Sequence, residues 1–438
     1  MSRFVWYDYS QRCFMLALTL AYVGALARFV YLITPSRGAI RKGIGALVCA
    51  FSCLILPFST ANASLLPARA QASDPDAMLI DVYKLIAQNK LIPAQQLADA
   101  LVNAYPTFHL GHLVQGDLFL MHNYPVTTFG AVKDAPSDKL NDLRAEARMR
   151  IKSLSEKPNP ELIPRAILQL RDDQKHVLVV DAKRSRLYLY ENQAGKPKFV
   201  MDYYVSQGKL GVEKMKAGDQ KTPLGVYYIT SRLKGSKLPD FYGPGALPLN
   251  YPNDWDKVNG RSGAGIWVHG TPSDSYSRAP LASDGCLVLT NPDLQKVADT
   301  IEVGKTPVII SEHVEFVTQS RWNTERAAAM QQLESWRLDV ESKNLTRWLS
   351  NYSRNFKSAQ GETISTWFDK QQMDMQGIAE RSIKLSDISL FYYPGKENML
   401  VSTFTQETIN GQTRAISRKR QYWVKEGTRW KIIYEGVL

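Results

Sequence analysis

Apolar residues recur at helical spacing in the segment that begins at Asp74. They lie three or four positions apart, as on the buried face of an amphipathic helix. Two successive sets of this kind are Leu79, Val82, Tyr83 and Ile86, and then Leu97, Ala100, Leu101 and Ala104. Tyr105-Pro106 interrupts the pattern, and a further apolar helix is expected over 110–121. The pattern predicts antiparallel helical hairpins over 74–156, similar to a tetratricopeptide repeat, with a scaffolding or dimer-contact role.

The apolar pattern changes from helical to alternating after the Pro-rich segment 157–160, which we interpret as a linker. Alternating runs bounded by Gly, Pro, Asn and Lys predict strands at 176–181, 186–191, 199–206, 226–230, 265–269, 286–289 and 307–310. Asn291 followed by Pro292 predicts an N-cap and a helix over 293–301. Residues 175–312 are therefore expected to form a mostly β domain.

A third unit begins with a long amphipathic helix near Arg321 and continues as strands. Four alternating segments, at 383–392, 398–406, 414–424 and 430–435, predict a curved antiparallel sheet. Helices followed by such a sheet over 322–438 resemble the cone-shaped nuclear-transport-factor-two-like domain, which implies a binding or dimerising module. We expect this unit to support a reaction without supplying catalytic groups, so a chain ending near Gln319 should still be acylated. The predicted fold class is multidomain α+β.

Composition and charge narrow the function classes without choosing one. The chain has 438 residues, of which 44% are hydrophobic, so it is long and apolar enough for two or three packed domains. Its 54 Lys and Arg residues against 42 Asp and Glu residues give a net charge of +12, which favours anionic partners. Because no nucleotide-binding loop, paired CxxC motif or RNA-recognition signature is present, we expect no nucleic-acid partner.

The N-terminal region 1–63 is typical of a targeting segment. Arg37, Arg41 and Lys42 precede an apolar run at 44–58, which leads into the small-x-small motif Ala61-Asn62-Ala63. We predict a signal peptide cleaved after Ala63 and a periplasmic protein. The alternative is an uncleaved inner-membrane anchor at 14–33, a run that is long enough to span a bilayer although Arg28 interrupts it.

Cysteine usage gives the first indication of chemistry. Cys13, Cys49 and Cys53 all lie in the targeting region, so Cys286 would have no disulfide partner in a processed protein and is either a buried thiol or a reactive one. His109, His112 and His122 lack the Cys, Asp or Glu ligands that would complete a metal site. They are better interpreted as helix-surface residues, and no metal is expected.

Two short segments could place a base beside this thiol. One ends in His269, Gly270 and Thr271, and the other is 283–287, with the sequence Ser-Asp-Gly-Cys-Leu. A thiol attacks a carbonyl as thiolate, which requires a base beside it, and a tight glycine turn leaves backbone N–H groups free to bind an oxyanion. We therefore predict that His269 and Cys286 form a catalytic pair, against the alternative of a core histidine and a buried cysteine.

These segments, together with the Thr-Pro-Leu-Gly hairpin at 222–225 and Leu-Asn-Tyr-Pro at 249–252, resemble the L,D-transpeptidase catalytic domain, which remodels bacterial peptidoglycan. The resemblance implies Cys286 as the nucleophile, His269 as the general base, and the Gly270 carbonyl as the group that orients the imidazole. It places the oxyanion hole at the N–H groups of Gly285 and Cys286 and implies no cofactor. The substrate-binding residues that we predict are Ser283, Asp284, Arg278 and Tyr251.

The chain departs from the family pattern at two positions. The family commonly has His before the Gly-Cys pair and often Arg two positions after the cysteine, where this chain has Asp284 and Val288. An acid so close to the thiol should raise its pKa unless it is turned outward or paired, and Arg278 is a candidate partner.

The predicted function is that of an exported cysteine enzyme that attacks tetrapeptide stems of peptidoglycan and releases the terminal D-alanine. Two alternatives stay open. One is an L,D-carboxypeptidase that trims tetrapeptides to tripeptides, because family members with this three-domain arrangement act in that way. The other is a non-catalytic cell-wall-binding scaffold. A second copy of the chain is a candidate partner, as a homodimer.

Overall fold

The computed structural model describes residues 74–131, 136–156, 158–376, 380–395 and 398–438. The predicted signal peptide and the alternative anchor lie outside these residues. Within the described ranges, none of the helices has the length and apolar character needed to cross a membrane.

Four helices form the described part of the chain from residue 74 to residue 156, as the apolar spacing predicts. They are α1 (Pro75–Ala87), α2 (Leu91–Ala104), α3 (His109–Met121) and α4 (Ser137–Ser155). The Asp74 side chain accepts the N–H of Asp76 and caps α1, and Pro75 occupies the first helical position, where its missing N–H costs nothing. Leu79, Val82 and Leu101 are buried between the helices. The prediction of a helical N-terminal region is confirmed.

Short strands dominate the next part of the chain. The strands up to residue 317 are, in chain order, β1 (Ile163–Pro164), β2 (Ile167–Gln169), β3 (His176–Asp181), β4 (Arg186–Gln193), β5 (Lys196–Tyr204), β6 (Gln207–Gly208), β7 (Gly225–Tyr228), β8 (Leu233–Lys234), β9 (Gly245–Pro248), β10 (Trp267–His269), β11 (Leu281–Ser283), β12 (Leu287–Val288), β13 (Pro307–Ser311) and β14 (Phe316–Val317). The mostly β character that alternation predicts is confirmed.

Two sheets of this region pack around one core. The first has the strand order β5-β4-β3-β13-β7, and the second has the order β12-β10-β9-β8. In the second sheet β10 and β12 run parallel, with Val268 opposite Leu287 and His269 opposite Val288. This pairing brings the two predicted catalytic segments side by side.

Two short helices complete the domain, α5 (Asp254–Val258) and α6 (Asn291–Thr300). The cap of α6 differs from the prediction. Thr290, not Asn291, is the N-cap, and its hydroxyl accepts the N–H of Asp293 at 3.2 Å. The Asn291 side chain instead accepts the Thr271 N–H at 2.8 Å, two residues beyond His269.

The C-terminal unit combines helices with a long, curved sheet. Its elements are α7 (Gln319–Glu341), α8 (Leu345–Leu349), β15 (Tyr352–Ser358), α9 (Ile364–Met375), β16 (Arg381–Tyr393), β17 (Met399–Asn410), β18 (Thr413–Glu426) and β19 (Arg429–Val437). The strand order is β15-β19-β18-β17-β16-β2, so β2, which precedes the catalytic domain in sequence, is an edge strand of this sheet. The predicted helix-plus-sheet architecture is confirmed, and the contribution of β2 was not predicted.

The mostly β domain over 175–312 and the C-terminal unit share one apolar layer. Val179 and Ile309 of the first sheet pack in the same buried cluster as Phe391 and Tyr422 of the C-terminal sheet. Trp255 of α5 stacks on Tyr422 with ring centroids 5.6 Å apart. A chain ending near Gln319 would expose this layer to water. We therefore revise the expectation that such a chain stays folded and competent for acylation.

Candidate active site

His269 lies at the end of β10, where it is almost fully enclosed. Only 1% of the residue is exposed, and Nδ1 lies 2.7 Å from the carbonyl oxygen of Gly270. Because a carbonyl only accepts, the imidazole proton must be on Nδ1, which leaves Nε2 as a free acceptor. Burial lowers the pKa of His269 to about 4, so the ring is neutral at pH 7. This is the state that a general base requires, and Gly270 is placed as the resemblance implies.

Aromatic side chains enclose the imidazole. The Tyr242 ring lies 5.0 Å from the His269 ring and the Phe241 ring lies 5.7 Å from it. Tyr242 also packs against Trp267, with ring centroids 5.0 Å apart. Phe241 and Tyr242 come from a short 3₁₀ turn, Asp240–Tyr242. This aromatic wall was not predicted, because no local pattern in the turn indicates that it folds over the histidine.

The Cys286 thiol is also kept in its neutral form. Its Sγ donates to the Gly265 carbonyl at a distance of 3.3 Å. Burial is the largest effect on its pKa and raises it, and the charge of Asp284 raises it further. The Trp267 N–H and the more distant cations Lys214 and Arg278 lower it, without reversing the direction. The resting pair is therefore thiol and imidazole, not thiolate and imidazolium.

Strand pairing places the two groups next to each other in the second sheet. Val268 and Leu287 are opposite each other, both fully buried in the core below that sheet. Successive side chains along a strand point to opposite faces, so His269, the residue after Val268, points away from this core. Cys286 directly precedes β12, and its Sγ lies against the backbone of residues 265 and 267, just before His269.

The neutral resting pair predicts how Cys286 reacts with pH. Between pH 5 and 8 the rate of alkylation by iodoacetamide should rise about tenfold per pH unit, because the thiolate fraction grows below a raised pKa. A thiolate–imidazolium pair would instead give a constant rate above the lowered pKa of its thiol. The measurement is mass spectrometry of the peptide that contains Cys286 over time, and Cys286→Ala shows that the mass shift belongs to this thiol. A flat profile would contradict the neutral pair.

The glycine turn before the thiol is tightly packed. Gly285 has φ of +129°, and a Cβ at this position would lie 2.7 Å from the Lys221 carbonyl oxygen. The buried Thr222 hydroxyl donates to the Gly285 carbonyl at 2.9 Å and accepts the Gly208 N–H at 3.0 Å. The Thr-Pro-Leu-Gly hairpin therefore holds the nucleophile turn in place, which gives the motif at 222–225 a physical role.

Ser283 is engaged within the same turn. Its hydroxyl donates to the Cys286 carbonyl at 2.6 Å and accepts the Gly285 N–H at 3.1 Å. Only 3% of Ser283 is exposed, so the structure places it as a support of the turn and not in contact with substrate. The Gly285 N–H must leave this bond before it can bind an oxyanion, so its role in the oxyanion hole stays a prediction, as does that of the Cys286 N–H.

Asp284 is turned outward and paired. Its carboxylate accepts from Lys209 Nζ at 3.1 Å and from Gln220 Nε2 at 3.0 Å. The hydrogen bond from Lys209 is the main reason that the Asp284 pKa is lowered, while the charge of Arg278 makes a smaller contribution. The predicted direct pairing with Arg278 is corrected accordingly. The Arg278 guanidinium instead lies 4.3 Å from the centroid of the Phe241 ring.

Tyr251 lies in the core beside the site. It is 5% exposed, and its hydroxyl donates to the Ser262 carbonyl at 3.1 Å. This placement does not support the predicted contact with substrate and makes Tyr251 a structural neighbour of the site. The part of the chain that the structure describes contains no group of three or more His, Cys, Asp or Glu residues arranged to hold a metal ion.

Comparison with protein families gives two matches. Residues 175–310 match the YkuD family, the L,D-transpeptidase catalytic domain, and residues 328–436 match the Cds6 C-terminal NTF2-like domain. The first match contains His269, Gly270, Gly285 and Cys286, and the second contains the sheet from β16 to β19. No curated protein matches the chain.

Solved structures share this arrangement of domains. Bd1075 of Bdellovibrio bacteriovorus is 28% identical, with a TM-score of 0.56, over 63% of this chain and 98% of that one. The helical cell shape determining protein Pgp2 of Campylobacter jejuni is 25% identical, with a TM-score of 0.54, over 64% of this chain and 97% of that one.

Proposed function

Because the chain carries an L,D-transpeptidase catalytic domain followed by an NTF2-like domain, we propose that it is a peptidoglycan-modifying cysteine enzyme that forms a thioester on Cys286. One observation carries the proposal. A neutral imidazole with a free Nε2 lies on β10, and β10 pairs with the strand that directly follows a thiol that burial keeps protonated. Each group thus stands in the protonation state from which general-base catalysis begins.

The reaction follows from these protonation states. The thiol proton of Cys286 passes to Nε2 of His269 while Sγ bonds to a stem-peptide carbonyl carbon, and backbone N–H groups at 285 and 286 bind the developing oxyanion. The bond to the terminal D-alanine then breaks, and the imidazolium returns the proton to the leaving amine. The products of this half-reaction are free D-alanine and a thioester. The Nδ1 hydrogen bond to the Gly270 carbonyl keeps the ring oriented throughout.

The positive charge of Arg278, beside Cys286, fits a peptide substrate with free carboxylates. Arg278 is half-buried over Phe241 and close enough to Cys286 to lower the pKa of its thiol. A guanidinium in this position can accept a stem carboxylate in the bidentate geometry that arginine favours. We propose Arg278 as the group that binds a carboxylate of the stem next to the bond that breaks.

The acyl group on Cys286 can pass to a stem amine or to water, and water is the second candidate acceptor. The matches to Bd1075 and Pgp2 favour water, because they cover 63% and 64% of this chain, more than the catalytic domain alone, and Pgp2 is a cell-shape protein. Hydrolysis would trim stems to tripeptides, whereas attack by a stem amine would cross-link them. Trimming would give this chain a role in cell shape as well.

Product analysis distinguishes these outcomes. Purified protein is incubated with disaccharide tetrapeptide, and the products are separated by chromatography and weighed by mass spectrometry. A 3-3 cross-linked dimer indicates transpeptidation, and tripeptide with free D-alanine but no dimer indicates carboxypeptidase activity. If no D-alanine is released and no dimer forms, the enzyme proposal fails in favour of a binding scaffold.

We also propose export to the periplasm, where peptidoglycan stems are accessible. The support is the basic residues before the apolar run at 44–58 and the small-x-small motif that ends at Ala63. N-terminal sequencing of the native protein distinguishes cleavage after Ala63 from retention of the anchor at 14–33.

A further inference from the structure

The loop between His269 and Cys286 is held by the N-terminal helical region. Tyr276, in the middle of this loop, packs its ring 4.8 Å from the Phe108 ring and 5.5 Å from the Tyr105 ring. The Tyr276 N–H also donates to the Thr107 carbonyl at 3.1 Å. All three partners lie between α2 and α3. The helical region therefore contacts the segment that joins the base to the nucleophile.

The next residue of the loop binds a buried carboxylate of α4. The Ser277 hydroxyl donates to Glu146 Oε1 at 2.6 Å, and Glu146 is only 2% exposed. Arg150 Nε donates to the same oxygen at 2.9 Å, and the Arg150 guanidinium also binds Asp76 and lies 4.2 Å from the centroid of the Tyr204 ring. Burial raises the pKa of Glu146 and lowers that of Arg150. A buried charge is costly without its partners, so these bonds fix the carboxylate at one place.

The backbone of Arg278 is fixed by Tyr204, whose ring contacts Arg150. The Tyr204 hydroxyl donates to the Arg278 carbonyl at 2.9 Å, and the Arg150 guanidinium covers the Tyr204 ring. With residues 276, 277 and 278 each bonded, the backbone that carries Arg278 is fixed before substrate arrives, and the guanidinium lies over the Phe241 ring. A loop that is already ordered lowers the entropic cost of binding.

We propose that Glu146 is a positioning residue for substrate recognition: through Ser277 it holds the loop that presents Arg278 to a carboxylate of the stem peptide. This inference rests on the proposed function and extends it to the helical region. Glu146 and Ser277 are not themselves catalytic residues, because neither is placed against the reacting atoms. The helical region thereby acts on substrate binding and not on the chemistry of Cys286.

The test compares three substitutions in the full chain. Ser277→Ala removes the hydroxyl that binds Glu146, and Ser277→Thr keeps a hydroxyl. Ser275→Ala is the matched control, because the Ser275 hydroxyl bonds within the loop, to Asp274 Oδ1 at 3.0 Å. For each variant we measure kcat and KM for D-alanine release from tetrapeptide, alkylation of Cys286 by iodoacetamide, and hydrogen–deuterium exchange of the peptide that covers 275–281.

Ser277→Ala should raise KM about tenfold, the upper end of the loss expected for one hydrogen bond, and leave kcat and alkylation within about twofold. Its loop should also exchange faster than in the unsubstituted protein. Ser277→Thr should have a KM within about threefold of that of the unsubstituted protein. Ser275→Ala should change neither KM nor the exchange rate of the loop. A KM for Ser277→Ala equal to that of Ser275→Ala overturns the inference, as does a loss confined to kcat.

The proposed function and the inference fail in different ways. If unsubstituted protein releases no D-alanine, the proposed function fails, whatever the variants do. If turnover is present but Ser277→Ala and Ser275→Ala give the same KM, only the positioning role fails. In an inactive protein, an exchange rate at 275–281 that Ser277→Ala leaves unchanged would still reject the bond to Glu146 as the element that holds the loop.

Discussion

Replacing Cys286 with alanine should lower D-alanine release from tetrapeptide by at least about 10⁴-fold, because the substitution removes the atom that forms the thioester. The fold should persist, since alanine is smaller and the thiol makes only weak hydrogen bonds, to the Gly265 carbonyl and from the Trp267 N–H. The measurements are D-alanine release and thermal unfolding of the same preparations. A variant that retains its melting temperature and still releases D-alanine would reject Cys286 as the nucleophile.

His269→Ala is the companion variant and should be nearly as inactive. The two losses should not add, because the thiol and the imidazole act as one unit. The double variant is therefore expected to be no slower than Cys286→Ala by more than a few-fold. Full additivity would indicate that the histidine acts on a different step from the cysteine.

Replacing Tyr422 with alanine should destabilise the whole described assembly by about 3–5 kcal/mol, the range for deleting a large buried aromatic side chain. Tyr422 is 1% exposed, and it stacks on Trp255 of the catalytic domain although it belongs to the C-terminal sheet. The measurement is chemical unfolding followed in parallel by fluorescence and by the rate of Cys286 alkylation. Both signals should shift together to lower denaturant concentration.

Tyr124→Ala is the matched control, because Tyr124 is 69% exposed and its loss should change stability by less than about 0.5 kcal/mol. If Tyr422→Ala shifted the fluorescence transition alone and left the alkylation transition in place, the two units would unfold independently. That result would contradict the shared apolar layer and restore the expectation for a chain ending near Gln319.

Local sequence determined the elements of this protein and indicated its candidate reactive residues. The apolar run at 176–181 coincides with β3, and the spacing over 110–121 falls within α3, because side-chain periodicity follows directly from backbone geometry. His269 and Cys286 were likewise identifiable, since each stands in a short motif with glycine beside it. Such features depend on neighbours in the chain, which a sequence displays.

Tertiary structure alone decided what those residues contact. Thr290 and Asn291 are both good caps for α6, and the choice depends on the Thr271 N–H, which takes the Asn291 side chain. Asp284 binds Lys209 and Gln220, which lie on a loop far from it in sequence.

The addition of β2 to the C-terminal sheet and the bond from Ser277 to Glu146 are equally distant pairings. Periodicity states which face of an element is apolar, but it does not state which other element covers that face. Partners are selected by the packing of the whole chain. Tertiary packing also decides the protonation states of His269 and Cys286, because burial is the main cause of both pKa shifts.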